Sequence, residues 1–223
     1  MKQEDYAKNK ETCPSMNNMM MMMVPIVSKV YCSPSEVVLT VRRRPNVVAG
    51  GGFVVADCSQ RVVFWVDGCG ILGKKEEIIL RDGEGNALLL IRRKGEIVEA
   101  LSLTRQWKGY NYDYLGSHHH VFTLKQPNSS CFSDKTPIRI SLVSKNTTSY
   151  GNFKINGDFP NRSCTIIDST GHLIAQVGVK EEVEQVMTGK DLYHVKIMGG
   201  VDQAFVFGVI AVLDYTYDGS TRC

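Results

Sequence analysis

The most constraining feature of this chain is an uncharged apolar run near its C-terminus, Ala204 to Leu213, flanked by Asp202 and Asp214. A helix that is apolar on every side must be enclosed, because a surface helix would carry polar residues on one face. A membrane-spanning helix needs roughly 20 apolar residues, whereas ten helical residues rise only about 15 Å. We therefore predict a core element that is enclosed by protein rather than by lipid.

A helix is favoured over a strand for this segment, although its valine content would also suit a strand. Gly199 and Gly200 interrupt the preceding pattern, Asp202 can cap a helix, and the stretch 202–217 is longer than most strands. Gly208 stands in the middle, where glycine costs a helix about 1 kcal/mol relative to alanine. Either this cost is simply tolerated, or another backbone approaches the helix axis closely there. The predicted core residues are Phe205, Phe207, Gly208, Val209, Ile210, Val212 and Leu213.

A second pattern recurs through the chain: an apolar run, a turn that begins with aspartate, and another apolar run. It occurs around Asp57, Asp82 and Asp168. Aspartate accepts hydrogen bonds from its own turn, so the pattern is typical of β-hairpins. Further strands are predicted at 37–41, 97–104, 119–125, 138–143, 152–156, 185–187 and 192–198. About a dozen strands form a meander, and a sheet of this size tends to close, since closure removes exposed edges.

Composition gives the domain organisation. Residues 1–33 are charged at first and then rich in Asn and Met, which predicts an extension that is disordered or only loosely docked. Residues 34–223 are predicted to form a single domain. The seven cysteines are odd in number and lack a CxxC motif, which favours free thiols in a reducing compartment. No convincing signal peptide is present, so we expect a cytoplasmic protein, peripheral at the plasma membrane or nuclear, and not a secreted one.

No motif of a catalytic site is found. The chain lacks a Gly-x-Ser-x-Gly elbow and a phosphate-binding Gly-Lys-Ser/Thr loop. A metal site is one interpretation of His118, His119 and His120, but a third ligand would have to come from a distant residue such as His172, His194 or a cysteine. A loop preceding a strand is the favoured interpretation. We therefore predict a protein that is not an enzyme and that has no metal and no cofactor.

Two basic clusters are the best candidates for a binding site. Arginine and lysine side chains bind phosphate oxygens, and each cation beside an anionic leaflet contributes about 1 kcal/mol. The alternative is that these cations are solvated strand ends that protect the sheet edges. The candidate residues for binding anionic lipid are Arg42, Arg43, Arg44, Arg92, Arg93 and Lys94.

Several segments together resemble the plant LURP-one-related family. They are 164–177, 187–195 and 201–214, supported by 53–57 and 80–85 in the first half of the chain. The resemblance implies the fold of the Tubby C-terminal domain and of phospholipid scramblases, a twelve-stranded closed antiparallel barrel around a hydrophobic C-terminal helix. Because Tubby domains bind phosphatidylinositol 4,5-bisphosphate through basic residues, it also implies a membrane-binding module, with a role in plant defence.

The sequence is compatible with three functions. The first is reversible docking on anionic phospholipid head groups. The second is lipid movement of the scramblase kind, which the length of the apolar run disfavours. The third is a protein-interaction scaffold, because residues 108–116 are predicted to be a loop that exposes Tyr110, Tyr112 and Tyr114 to protein partners. Direct binding of nucleic acid is disfavoured, since the one predicted helix is buried and the net charge is only +3.

Overall fold

The computed structural model describes residues 25–44, 51–67, 77–94, 104–112, 117–127, 137–143, 151–178 and 191–218. Within these ranges the chain forms twelve strands and, near its C-terminus, one α-helix, α1 (Gln203–Leu213), which continues into a π-helical turn at Asp214–Asp218. The strands are β1 (Val37–Arg43), β2 (Gly52–Ala56), β3 (Val62–Asp67), β4 (Glu77–Asp82), β5 (Ala87–Arg93), β6 (Thr104–Tyr112), β7 (His118–Pro127), β8 (Ile138–Leu142), β9 (Asn152–Asp158), β10 (Ser163–Asp168), β11 (Leu173–Gly178) and β12 (Leu192–Ile197).

The strands form a closed barrel in which each pairs antiparallel with the next, and β12 pairs with β1. The odd-numbered strands therefore all point the same way, and their C-terminal ends share one rim. We call this the Asp214 rim, because Arg43 at the end of β1 contacts Asp214 at the end of α1. The opposite end is the Asp202 rim, where α1 begins. The predicted closed barrel around a C-terminal helix is confirmed.

Helix α1 lies along the barrel axis, and every residue from Ala204 to Leu213 is buried. Phenylalanines join it to the wall: Phe205 packs against Phe122 and Phe153, and Phe207 packs against Phe64. A side chain at Gly208 would overlap Leu89 of β5. The predicted approach of another backbone at this glycine is wrong, because the neighbouring atoms belong to side chains of the wall, those of Leu89 and Ile91.

The three aspartate-led hairpin turns share one hydrogen-bonding pattern. In each, the carboxylate accepts the backbone N–H groups two and four residues later, as Asp168 does from Thr170 at 2.8 Å and His172 at 2.9 Å. Asp57 and Asp82 repeat the arrangement. Burial raises the pKa of each carboxyl, but side-chain hydrogen bonds from Asn86 to Asp82, from Thr170 to Asp168 and from Arg61 to Asp57 act together with these backbone bonds, outweigh burial and hold the pKa below the ordinary value. Each turn is therefore stabilised by the ionised aspartate.

The predicted tyrosine loop is wrong for residues 108–112, which belong to β6. The polar residues of β6 alternate with Trp107 and Gly109, which are buried and face the core. Gly109 is required there because a Cβ atom would overlap the ring of Phe122. Tyr114 and most of the strand predicted at 97–104, together with the strand predicted at 185–187, lie outside the described residues.

Residues 25–33, which composition assigned to the N-terminal extension, are packed on the Asp202 rim. The Asp202 carboxylate accepts the backbone N–H groups of Ile26 at 2.9 Å, Val27 at 2.6 Å and Ser28 at 2.9 Å. Val27 is buried in the core, and its carbonyl accepts a hydrogen bond from Asn111 at 2.8 Å. The predicted boundary at residue 34 therefore excludes nine residues of the packed structure.

Candidate functional site

The two predicted basic clusters lie at the same end of the barrel. Residues 42–44 end β1 and residues 92–94 end β5, and both strands run toward the Asp214 rim. Strands β2, β3 and β4 separate them, so the clusters are four inter-strand spacings apart, or about 19 Å along the wall. The fold brings the clusters to one rim but does not merge them into one patch.

Carboxylates engage most of the first cluster. Arg43 pairs with Asp191 at 3.0 Å and with the fully buried Asp214 at 3.3 Å, and its side chain is only 16% exposed. Arg44 donates to the Val66 carbonyl at 3.0 Å and pairs with Asp67 at 3.3 Å. Arg42 is exposed on the outer face of β1. Within the described part of the chain, Arg42 is the member of this cluster that keeps its charge open to solvent.

Arg43 is expected to hold the structure together rather than bind a ligand. Replacing it with glutamine leaves the buried Asp214 without its cation, and breaking a fully buried pair costs 3–5 kcal/mol. Because Arg43 is partly exposed, we expect Arg43→Gln to lower the free energy of unfolding by about 2 kcal/mol. Urea denaturation measures this, and Arg42→Gln is the matched control, with a change of about 0.5 kcal/mol or less. Equal midpoints for the two variants would contradict the structural role.

The second cluster is more open. Arg92 pairs with Glu77 at 2.8 Å, yet its side chain remains 43% exposed. Arg93 is half-buried and Lys94 is exposed. The backbone N–H of Lys94 donates to the Gln106 carbonyl at 2.9 Å, so the pairing of β5 with β6 continues to this lysine. Lys94 therefore belongs to the outer surface of the sheet.

Lys94 is the first residue in a row of cations on neighbouring strands, and this row was not predicted from the sequence. Beyond Gln106, the register places Lys125 of β7 opposite Arg139 of β8, and Arg139 opposite Lys154 of β9. All four cations are exposed, and their neighbours along each strand of β7–β9 are buried, so the cations point outward. We call Lys94, Lys125, Arg139 and Lys154 the basic row. Hairpin register, applied strand by strand, is the signal that could have found it.

The strands around the basic row are strongly cationic. Strands β5–β9 carry seven Lys or Arg residues and a single acidic residue, Asp158. Strands β1–β4 carry three of each kind, and β10–β12 carry one of each. The excess positive charge of the described strands thus lies on one side of the barrel, whereas the net charge of the whole chain is only +3.

The histidine triplet lies in β7 rather than in a loop. His120 packs on Tyr110 with ring centroids 5.3 Å apart, and His118 packs on Tyr112 at 4.7 Å. Burial lowers the pKa of His120 and the nearby Lys108 lowers it further, so this ring is neutral near pH 7 despite a hydrogen bond that favours the charged form. Within the described ranges, no three His, Cys, Asp or Glu side chains converge on a possible metal position.

An open cavity of about 760 Å³ lies at the Asp214 rim, between the end of α1 and strands β8 and β9. Its apolar lining includes Ile138, Ile155, Phe159 and Leu213. Asp158 is the charged residue among its described lining, which contains no lysine or arginine. Among the described lining residues the cavity offers no cation to an anionic group, and none of the predicted cations lines it. In the part of the chain that the structure describes, no helix has the length and apolar character needed to cross a membrane.

Comparisons with known proteins agree with this architecture. A family model described as LURP-one-related matches residues 37–214. LURP-one-related protein 6 of Arabidopsis thaliana is 53% identical over 201 residues, covering 90% of this chain and all of that protein. LURP-one-related protein 16 of the same plant is 47% identical, covering 89% and 95%. An X-ray structure of an Arabidopsis thaliana protein aligns with a TM-score of 0.60 at 19% identity, over 86% of this chain and 98% of that one, and so supports the fold.

Proposed function

This chain belongs to the LURP-one-related family, and we propose that its barrel is a non-enzymatic module that docks reversibly on membranes containing anionic phospholipid, phosphoinositides among them. The observation that carries the proposal is the concentration of positive charge on β5–β9, where seven basic residues meet one acidic residue. Each lysine or arginine near an anionic leaflet contributes about 1 kcal/mol. Several exposed cations on one side are therefore sufficient for reversible binding.

The fold supports docking rather than insertion. The apolar residues of α1 are enclosed by the wall of the barrel, so the helix offers no hydrophobic surface to a bilayer. The Tubby-like and scramblase-like relationships that the resemblance implies are compatible with a membrane-surface role. A protein that binds and leaves the cytoplasmic leaflet would suit a signalling relay in plant defence, at the plasma membrane or in the nucleus.

Vesicle flotation tests the proposed function. The purified protein is mixed with neutral phosphatidylcholine vesicles, or with vesicles that also contain a phosphoinositide or phosphatidylserine. We expect the protein to float with the anionic vesicles, to remain below the neutral ones, and to be released by high salt, because salt screens exposed charges. Equal recovery with neutral and anionic vesicles, or no recovery with either, would refute the proposal.

A further inference from the structure

We propose that the membrane contact is the basic row on the outer face of β5–β9, and that this face responds to the charge density of a bilayer instead of recognising one head group. This inference rests on the proposed function and gives it a surface. The basic row extends from Lys94 to Lys154 over four inter-strand spacings, or about 19 Å. This length exceeds the Debye length of about 8 Å at physiological salt. The two ends of the row therefore act on different negative charges, so we expect the row to contact several lipid head groups at once.

The side chains of the row are available for binding. Lys94, Lys125, Arg139 and Lys154 are exposed, and none of them pairs with a carboxylate of the described residues. In the first cluster, by contrast, Arg43 and Arg44 are held by Asp191, Asp214 and Asp67. The row therefore offers four open charges, whereas residues 42–44 offer one.

The shape of the face decides between a single head group and a bilayer. The outer wall of a closed barrel is convex, and ligands of small size are bound in concave sites that surround them. The cavity at the Asp214 rim is concave, but it has an acidic lining residue and no basic one among the described residues. A convex cationic surface has no means of distinguishing the positions of phosphates on an inositol ring. It is attracted to any surface with enough negative charge.

A nucleic acid strand is the competing polyanion. Binding of single strands combines cations with aromatic rings on which bases stack. Tyr110 and Tyr112 lie on this side of the barrel, but their rings pack against His120 and His118 at 5.3 and 4.7 Å. Since each tyrosine ring is already in contact with a histidine ring, the described part of this face offers less aromatic surface for stacking than charge for an anionic surface. These observations favour a bilayer.

The test compares two variants with the same loss of charge. The first changes Lys94, Lys125, Arg139 and Lys154 to glutamine. The control changes four cations elsewhere on the barrel to glutamine, namely Lys29, Arg42, Arg61 and Lys196. Both are checked for cooperative unfolding and then titrated with vesicles of phosphatidylserine and of phosphoinositide, adjusted to the same surface charge.

We expect the row variant to lose at least tenfold in vesicle partitioning and the control to change less than threefold. We also expect the two anionic lipids to bind wild type equally, and soluble inositol phosphate at the concentration of the lipid head groups not to compete.

The inference is overturned if the control loses as much as the row variant, if inositol phosphate competes, or if a single-stranded oligonucleotide displaces the vesicles at equal charge concentration. Wild type that binds no anionic vesicle refutes the proposed function itself, whereas wild type that binds while the row variant binds equally well refutes only the basic row.

Discussion

Gly208→Arg is expected to abolish soluble, cooperatively folded protein. Gly208 lies in the middle of α1, where every residue from 204 to 213 is buried and a side chain would overlap Leu89. Arginine keeps its charge in proteins, and an unpaired buried charge costs several kcal/mol. The overlap adds to that cost, and a typical domain has only 5–15 kcal/mol of stability in total. Soluble yield and the unfolding transition measure the outcome.

Val38→Arg is the matched control, because Val38 is 50% exposed on the outer face of β1. It adds the same charge at an exposed position, and we expect a stability change of about 0.5 kcal/mol or less. A soluble Gly208→Arg variant with a sharp unfolding transition would mean that the helix is not enclosed. The barrel as described would then be wrong.

A milder substitution at the same position separates steric overlap from charge. Gly208→Ala gains about 1 kcal/mol of helix propensity, but overlap with Leu89 in a filled core costs about 1–3 kcal/mol. We therefore expect net destabilisation in the wild type and a smaller loss, or a gain, in a Leu89→Ala background where the methyl group has room. Additive effects of the two changes would contradict the contact.

The second large effect is expected at Asp202. This fully buried carboxylate accepts three backbone N–H groups from residues 26–28 and the Phe205 N–H at the start of α1 at 3.2 Å. Asp202→Ala removes all four acceptor contacts, and each buried donor left unsatisfied costs about 1–3 kcal/mol. Water reaches the partly exposed donors, so we expect a loss of about 3–5 kcal/mol in the free energy of unfolding. Chemical denaturation measures the loss.

Two variants locate the cause of that loss. Asp202→Asn keeps one carbonyl oxygen and removes the charge, so an intermediate loss of about 1–3 kcal/mol is expected. Ser28→Ala removes only the exposed cap of the turn at Lys29–Tyr31, where the serine oxygen accepts the Val30 N–H at 3.4 Å, and should cost about 1 kcal/mol or less. Hydrogen exchange at residues 26–28 should accelerate in Asp202→Ala. Unchanged exchange there would show that the carboxylate does not hold this segment.

Features that depend on neighbours in sequence could be predicted. The turns at Asp57, Asp82 and Asp168 were recognised because an aspartate bonds to N–H groups only two and four residues away. The enclosure of α1 followed from the length and composition of one segment. The strand at 104–112 was missed because its outward face is polar and its inward face includes Gly109, whose place in the core depends on Phe122 of the next strand.

The candidate site was less predictable, because charges far apart in sequence decide it. The sequence predicted one basic patch at Arg42, Arg43 and Arg44. In the structure, however, Arg43 forms ion pairs with Asp191 and Asp214, which lie near the other end of the chain. Lys125, Arg139 and Lys154 are isolated cations in the sequence, and hairpin register makes them neighbours. Composition also obscured the cationic side, since the whole chain has a net charge of only +3.

By itself, the sequence determined that hairpins surround one short apolar helix, because turn hydrogen bonds and the burial of an uninterrupted apolar run are local properties. Only the tertiary structure decided which cations are neutralised, which remain open, and how residues 25–33 are held. Those outcomes depend on barrel closure and strand register, which bring together groups that are distant along the chain. Coulomb interactions and hydrogen bonds act over a few ångströms of space, whatever the separation in sequence.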